Sequence, residues 1–547
     1  MNPPRLEEAF RRLQAGDAAG ALQLALAAAA AQPGNGRAHL ARGLALRALG
    51  RASAAHEAFD TAARLAPADH APPYELGVLL ESQGRIDEAI AHYERAAALR
   101  REFAAAHFAA GLLRYRKGEW AAAAERFEAV LAAQPESIEA HVNLAQSLGE
   151  LERYEEAIAM AERAIRLAPD AANPRYALGW LLGRMGQRDD ADARFEEALA
   201  RDPRHLDARI ALGRAAVARG DFAAAAQRYA DALAIAPAHP DLPLYTAQAL
   251  LLAGRWREAW HPYYARRDSR IAHEALAAAG GRPYRVPARE DLRRRDVALI
   301  GEQGLGDILF FLRFAPRLRA LDARLAFAGD RRLHGILART GLFDAVAEAA
   351  PPDALPLLVG DLPLALDAGD DVFAPSLRAA PLAERVEAAQ AELASAGPRP
   401  WIASAWRSGT PREASRTALS KTVPVAELLA ALRGMPGTVL ALQRGLREDE
   451  LARASEALGR PVHDLSGWSE DPEDALAVAS IVDRHIGVSS TNMHLAALAG
   501  ATADVLVPYP AEWRWRAAGG SPWFPGFRVL RQENDGRWNA ALAALGG

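Results

Sequence analysis

The sequence predicts an α-solenoid followed by an α/β region of two open parallel sheets, on three observations. Four residue classes recur at a step of 34 residues through the first half. From Val297 onward, short apolar runs alternate with segments of helical periodicity. The two patterns meet near a glycine turn, Gly301-Glu302-Gln303-Gly304-Leu305-Gly306-Asp307, set between an apolar run and a helix-periodic stretch.

A chain of 547 residues is too long for one core; at about 150 residues per domain it holds three or four. Half of it is apolar and 24% is charged, which is ordinary for a globular protein. A formal net charge of −4 speaks against a general nucleic-acid or membrane-surface role. Cysteine is absent, which excludes disulfides, zinc ribbons and thiolate chemistry. Met1 to Gln32 lacks the basic start and compact apolar core of a leader peptide. No run of about 18 strongly apolar residues exists to span a bilayer, so the expected address is cytoplasmic.

The repeat is read from its phasing. Proline falls at 33, 67, 135, 169, 203 and 237, with Arg101 in the one vacant place. Small residues keep the same step at Gly43, Gly77, Gly111, Ala145, Gly179, Gly213 and Ala247, and again from Ala55 to Ala259. A mostly aromatic set runs Phe59, Tyr93, Phe127, Ala161, Phe195, Tyr229, Tyr263. This register resembles the tetratricopeptide repeat. Small residues allow two helices to approach, the aromatic fills the gap to the next repeat, and proline ends the second helix because it has no N–H to donate. Units of this kind stack into a right-handed solenoid with a concave groove that suits an extended polypeptide. Asn143, Gln146, Arg175, Tyr176 and Arg209 are expected on that groove. Trp256, Trp260, Tyr263 and Tyr264 are expected to dock the last helix onto the next domain.

The expected division is a solenoid over 1–270, a connector over 271–296, a first Rossmann-like half over 297–385 and a second over 386–547. A Pro-, Ala- and Gly-rich linker, Pro375 to Pro400, separates the halves. Strands are expected at 297–300, 324–328, 345–347, 357–359, 401–405, 438–442, 462–465, 481–488 and 504–507. Helices are expected at 307–321, 425–433, 448–458 and 491–499. The glycine turn lies between the first strand and a helix, where free backbone N–H groups and a carboxylate, Asp307, meet. Leu309 occupies the place of a third glycine, so the turn is not a dinucleotide fingerprint.

Five blocks support a family resemblance. They are Gly301 to Asp307 with Phe311-Leu312-Arg313-Phe314-Ala315-Pro316; Ser420-Lys421-Thr422-Val423-Pro424; Gly487-Val488-Ser489-Ser490-Thr491-Asn492-Met493-His494-Leu495-Ala496; Glu512-Trp513-Arg514-Trp515; and Ser521-Pro522-Trp523-Phe524-Pro525 with Val529-Leu530-Arg531-Gln532. In this order they resemble bacterial glycosyltransferases with amino-terminal tetratricopeptide repeats, relatives of the lipopolysaccharide heptosyltransferases. The resemblance implies a GT-B fold, with the first half on the acceptor side and the second on the nucleotide-sugar side. It implies that Asp307 is the general base on the acceptor hydroxyl, although an aspartate at a helix start also serves as a cap. Gly304 and Gly306 would admit a sugar close to the backbone. Arg407, Ser408, Gly409 and Thr410 follow a strand and are expected at a diphosphate, with Lys421 as a positive charge on the leaving group. Arg407 and Arg416 are lesser candidates for that task.

Ser489, Ser490, Thr491, Asn492 and His494 converge between a strand and a helix and are expected at phosphate or ribose. Gln443 is a minor candidate at the end of its strand. Trp513, Trp515, Trp523 and Phe524 either close the cleft or are core. Relatives commonly carry an aspartate where Ser489 stands. No Asp-x-Asp triplet stands at a strand end, so no metal or other cofactor is expected beyond the nucleotide-sugar co-substrate. The expected function is inverting, metal-independent sugar transfer to a protein held by the repeats, flagellin being the suggested acceptor. The alternatives are an envelope or lipopolysaccharide glycosyltransferase and a non-catalytic repeat scaffold with a degenerate transferase domain.

Overall fold

The computed structural model describes residues 3–281, 283–369, 373–408, 421–447, 449–516 and 519–546. The chain divides into two compact units, Met1–Leu212 and Gly213–Gly547. Among the described residues seventeen α-helices precede the first strand, and the division falls inside the thirteenth, Leu206–Arg219.

In the first unit, helices of 12 to 14 residues pair as hairpins, such as Gly36–Ala48 with Ala52–Leu65 and Ala71–Ser82 with Ile86–Leu99. At Gly43, Gly77 and Gly179 the periodic small position admits no Cβ without a shift. A Cβ on Gly43 would lie 2.4 Å from the Phe59 ring, one on Gly77 2.6 Å from Tyr93, and one on Gly179 2.8 Å from Phe195. The aromatic therefore lies first on the glycine of its own hairpin, and also joins the next repeat, where Phe59 clusters with Leu76 and Leu79. Gly43→Leu is expected to destabilise the chain by about 1–3 kcal/mol through overpacking, read as a lower urea midpoint.

The turn inside each hairpin needs a left-handed residue. Gly50, Gly84, Gly118 and Gly186 supply it with φ of 71° to 80°, but Glu152 holds the same place at φ 61°. A left-handed backbone costs a residue with a Cβ about 1–2 kcal/mol. Glu152→Gly is therefore expected to stabilise by about 1 kcal/mol, read as a raised urea midpoint.

Of the expected groove residues, Arg175 is buried and donates to the Ala171 carbonyl at 2.9 Å, one turn back along its own helix. Asn143 donates to the Glu139 carbonyl at 2.7 Å and Arg209 to the Pro203 carbonyl at 3.2 Å. Tyr176 lies against the rings of Phe195 and His205. Gln146 is half-buried.

The second unit begins with helices that include Phe222–Ile235, Leu242–Leu252 and Trp256–Tyr264. Two parallel sheets follow. The first holds β1 (Asp296–Ile300), β2 (Arg324–Ala328), β3 (Ala345–Ala347) and β4 (Leu355–Leu358), in the order β3-β2-β1-β4. Leu299 pairs with Phe327 on one side and Leu357 on the other. The second holds β5 (Trp401–Ala405), β6 (Thr438–Ala441), β7 (Val462–Asp464), β8 (Arg484–Val488), β9 (Ala503–Val507) and β10 (Arg528–Arg531), in the order β10-β9-β8-β5-β6-β7. The strands are near-continuous apolar runs because helices cover both faces of such sheets.

Several expected elements differ. The helix expected over 307–321 runs Leu305–Phe311, passes through a 3₁₀ turn at Leu312–Phe314 and resumes at Pro316–Arg319, because Pro316 cannot continue the hydrogen-bond ladder. Within the expected linker, Ala383–Ala396 forms a helix that buries Ala389 and Leu393 against Trp401, Ala403 and Val478. The strand expected from Ile481 starts at Arg484, since Ile481 closes the helix Pro472–Ile481. The edge strand β10 was not expected; Arg528 ties it to β9 through Asp504 at 2.6 Å.

The last helices of the repeat region dock as expected within this unit. Trp260 donates its indole N–H to the Ala368 carbonyl at 2.8 Å, and Trp256 meets Trp523 and Trp513 at ring distances of 5.4 and 6.0 Å. Among the described residues, no helix is long and apolar enough to cross a membrane.

Candidate functional site

Both sheets reverse their strand order at one strand. β1 lies between β2 and β4, and β5 between β6 and β8. Loops leaving the carboxyl ends of such strands diverge and open a crevice. A cleft of about 770 Å³ lies there. Gly304, Gly306 and Asp307 enter it after β1, Arg407, Ser408 and Lys421 after β5, and Gln443 after β6. Ser489, Ser490, Thr491, Asn492 and His494 enter it after β8, so these twelve residues line one cavity. Gly409, Thr410, Arg416 and Ser420 lie outside the described residues.

The position that caps the helix Leu305–Phe311 is Gly304, not Asp307. The Asp307 carboxylate is instead taken at Oδ1 by Nη2 of Arg514, and 39% of its side-chain surface stays open. Gly306 serves the packing of the protein on itself. A Cβ there would lie 3.1 Å from the His494 ring and 3.4 Å from Thr491 Oγ1, so glycine lets the Leu305–Phe311 and Thr491–Ala499 helices meet at their starts. A Cβ on Gly304 would meet Asp307 Oδ2 at an ordinary contact distance of 4.0 Å. Gly306→Ala is expected to shift the His494 ring and to lower the melting temperature modestly, by about 2–4 °C for roughly 1 kcal/mol.

A row of charges floors the cleft. Arg514 Nη1 donates to Glu512 Oε1 at 2.5 Å, and Lys421 Nζ lies 2.9 Å from Glu512 Oε2. The Ser489 hydroxyl lies beside the same carboxylate. Burial alone would raise the Glu512 carboxyl, but Lys421, Arg514 and the Ser489 hydroxyl outweigh it and hold it down to about 2. Burial opposes the charge on Arg514, yet Asp307 and Glu512 keep it firmly cationic. His494 is driven well below the usual histidine range, first by burial and then by Arg514 and Arg313. It is therefore neutral and offers a hydrogen bond, not a charge.

Other expected contacts are occupied within the protein. One edge of the Arg407 guanidinium, Nε and Nη2, donates to both Glu450 oxygens, at 3.2 and 2.8 Å. Gln443 accepts from the backbone N–H groups of Trp406 and Arg407, both at 3.0 Å, and donates to the Arg444 carbonyl at 2.9 Å. Asn492 donates to the Leu442 carbonyl at 3.0 Å. These three shape the loops. Trp513, Trp515, Trp523 and Phe524 are buried, with Trp515 stacked on Phe524 at 4.5 Å and Trp513 edge-on to Phe310 at 5.1 Å, so they are core rather than cleft wall.

Three polar atoms in the cleft walls are buried without a hydrogen-bond partner among the described residues: Ser490 Oγ, Arg514 Nε and Glu512 Oε2, the last facing the Lys421 ammonium at 2.9 Å. Buried groups of this kind are rare, and the first two call for an acceptor from elsewhere. Glu512 and Arg514 stand in the block Glu512-Trp513-Arg514-Trp515, to which the sequence assigns no ionic role. The available signal was a charge on either side of Trp513: charges set among large apolar residues are buried, and buried charges are paired.

Profiles described as tetratricopeptide repeat match residues 6–70, 136–204, 176–240 and 210–269, and one described as TPR repeat matches residues 80–118. The first half of the chain thus carries tetratricopeptide repeats. Protein FlbA of Caulobacter vibrioides is 29% identical over 332 residues, covering 55% of this chain and 53% of that protein. The chain spans about half the length of the curated relative it matches. Among solved structures it is similar to TTC0263, a thermophilic TPR protein of Thermus thermophilus, at 27% identity over 33% of this chain and 99% of that one, with a TM-score of 0.31. It is also similar to YrrB, a TPR protein with an unusual peptide-binding site, at 28% identity over 34% of this chain and 95% of that one, with a TM-score of 0.27.

Proposed function

We propose that the chain is a metal-independent glycosyltransferase of GT-B type, moving a sugar from a nucleotide-sugar to an acceptor. The observation that carries this reading is the shared cleft. It sets the Asp307 carboxylate of the first sheet opposite Lys421 and the loop after β8 of the second, with Ser490 Oγ and Arg514 Nε still unpartnered.

Asp307 takes the proton of an acceptor hydroxyl while that oxygen attacks the anomeric carbon of the donor. The bond from that carbon to the diphosphate breaks, and Lys421 with the hydroxyls of Ser490 and Thr491 receives the negative charge that leaves. One base and direct displacement give inversion at carbon. The repeats hold the acceptor, which we take to be a protein such as flagellin, because a helical-repeat groove suits a peptide better than a lipid or a glycan.

Co-expression with flagellin is expected to add the mass of a sugar residue to it, and Asp307→Ala to abolish the addition. Unmodified flagellin together with altered lipopolysaccharide in a deletion strain would instead assign the enzyme to envelope glycans.

A further inference from the structure

The mechanism above uses Asp307 and Lys421 but leaves the two most deeply set ions of the cleft without a task. Arg514 and Glu512 keep only 9% and 8% of their side-chain surfaces open. Burying two ions is costly, and well-packed apolar residues would stabilise the same space as well or better. Their placement is informative. The planar Arg514 fork gives one nitrogen to Asp307 and another to Glu512, while its face lies over the rings of Phe310 and Trp513, each at 4.7 Å. Rings and carboxylates together leave that guanidinium one orientation. Glu512 in turn accepts from Arg514 at Oε1 and holds Oε2 in ion-pair reach of Lys421, 2.9 Å away.

We propose that Arg514 and Glu512 are positioning residues for sugar transfer. Glu512 orients Arg514, which presents Asp307 to the acceptor, and the same carboxylate holds Lys421 at the donor side. One buried ion row thereby sets the spacing between the base and the leaving-group cation. This rests on the glycosyltransferase reading and extends it to residues that do not themselves exchange a proton. A fork is required at 514, because a lysine ammonium reaches both carboxylates only as a point charge, without the planar geometry that fixes them.

The test uses the purified full chain, its flagellin acceptor and the donor that it turns over, with Asp307→Asn as the reference. Arg514→Lys is expected to lower kcat about 100-fold, the size of effect that a misplacement of about 1 Å produces, while donor Kd stays within about threefold. Glu512→Gln is expected to lower kcat similarly and to weaken donor binding as well, because it releases Lys421. The double variant is expected to fall no further than the worse single one, because residues that act as a unit are not additive. Wild-type kcat in Arg514→Lys, or a double variant that loses the product of the two single effects, would overturn the proposal. Melting curves separate misfolding from misplacement; if Glu512→Gln melts early, Arg514→Lys decides alone. The underlying reading fails separately, and takes this proposal with it, if the wild type neither binds nor turns over any nucleotide-sugar. Turnover that is lost in Asp307→Asn but normal in Arg514→Lys sinks only the present inference.

Discussion

Glu512→Ala is expected to destabilise the second unit by about 3–5 kcal/mol, because it strands Arg514 and Lys421 as buried or half-buried cations without their shared carboxylate. The same carboxylate gives a pH signature. Its folded-state value is held at about 2, below the ordinary 4.5 of a glutamate. A depressed carboxylate contributes stability that is fully present above about pH 4.5 and is lost as the pH falls toward 2. His494, also lowered, adds loss that begins earlier, as the pH drops below its ordinary 6.5 and only the unfolded chain takes up the proton. Urea unfolding followed from about pH 7 to about pH 2.5 should show both limbs in the wild type, and Glu512→Gln should flatten only the lower one. A variant whose acid limb matches the wild type would mean that the row of charges is not buried as described.

Asp307→Asn is expected to lower kcat by about 10²- to 10⁴-fold, the usual contribution of a general base, while leaving donor affinity nearly unchanged. Asparagine is the informative replacement because its Oδ1 still accepts from Arg514, so the cleft floor keeps its shape. Turnover with a coupled nucleotide-release assay and calorimetry on the same samples separate chemistry from binding. Retention of wild-type turnover within about tenfold would leave Asp307 as a mere partner of Arg514 and would remove the base from the mechanism.

Much of this was legible in the sequence because it is periodic or local. The 34-residue phasing of Gly43 and Phe59 reflects a contact that recurs in most hairpins, and a recurring contact leaves a recurring trace. The glycine turn and the loop after β8 were visible because a strand end followed by small residues is a local pattern. What escaped depends on partners far apart in the chain. Arg514 meets Asp307 from 207 residues away, and Gly306 needs to be glycine only because His494 approaches it. Gln443 and Arg407 were singled out as ligands, but their partners are one another's loops and Glu450, which no local pattern announces. The helix Ala383–Ala396 was hidden by the prolines that flank it, and β10 by arginines at both its ends. Glu152 stands where the repeat asks for glycine, and only the backbone angle reveals what that substitution costs.

The central claim is that the cleft between the two sheets holds a nucleotide-sugar with its diphosphate against Lys421. Calorimetric titration of the full chain with UDP-, GDP-, CMP- and ADP-sugars tests it most directly, repeated on Lys421→Ala. The account predicts saturable binding of one donor class, weakened at least about tenfold in the variant by loss of a charge-assisted contact. Absence of binding across the panel, or binding that Lys421→Ala leaves untouched, would contradict it.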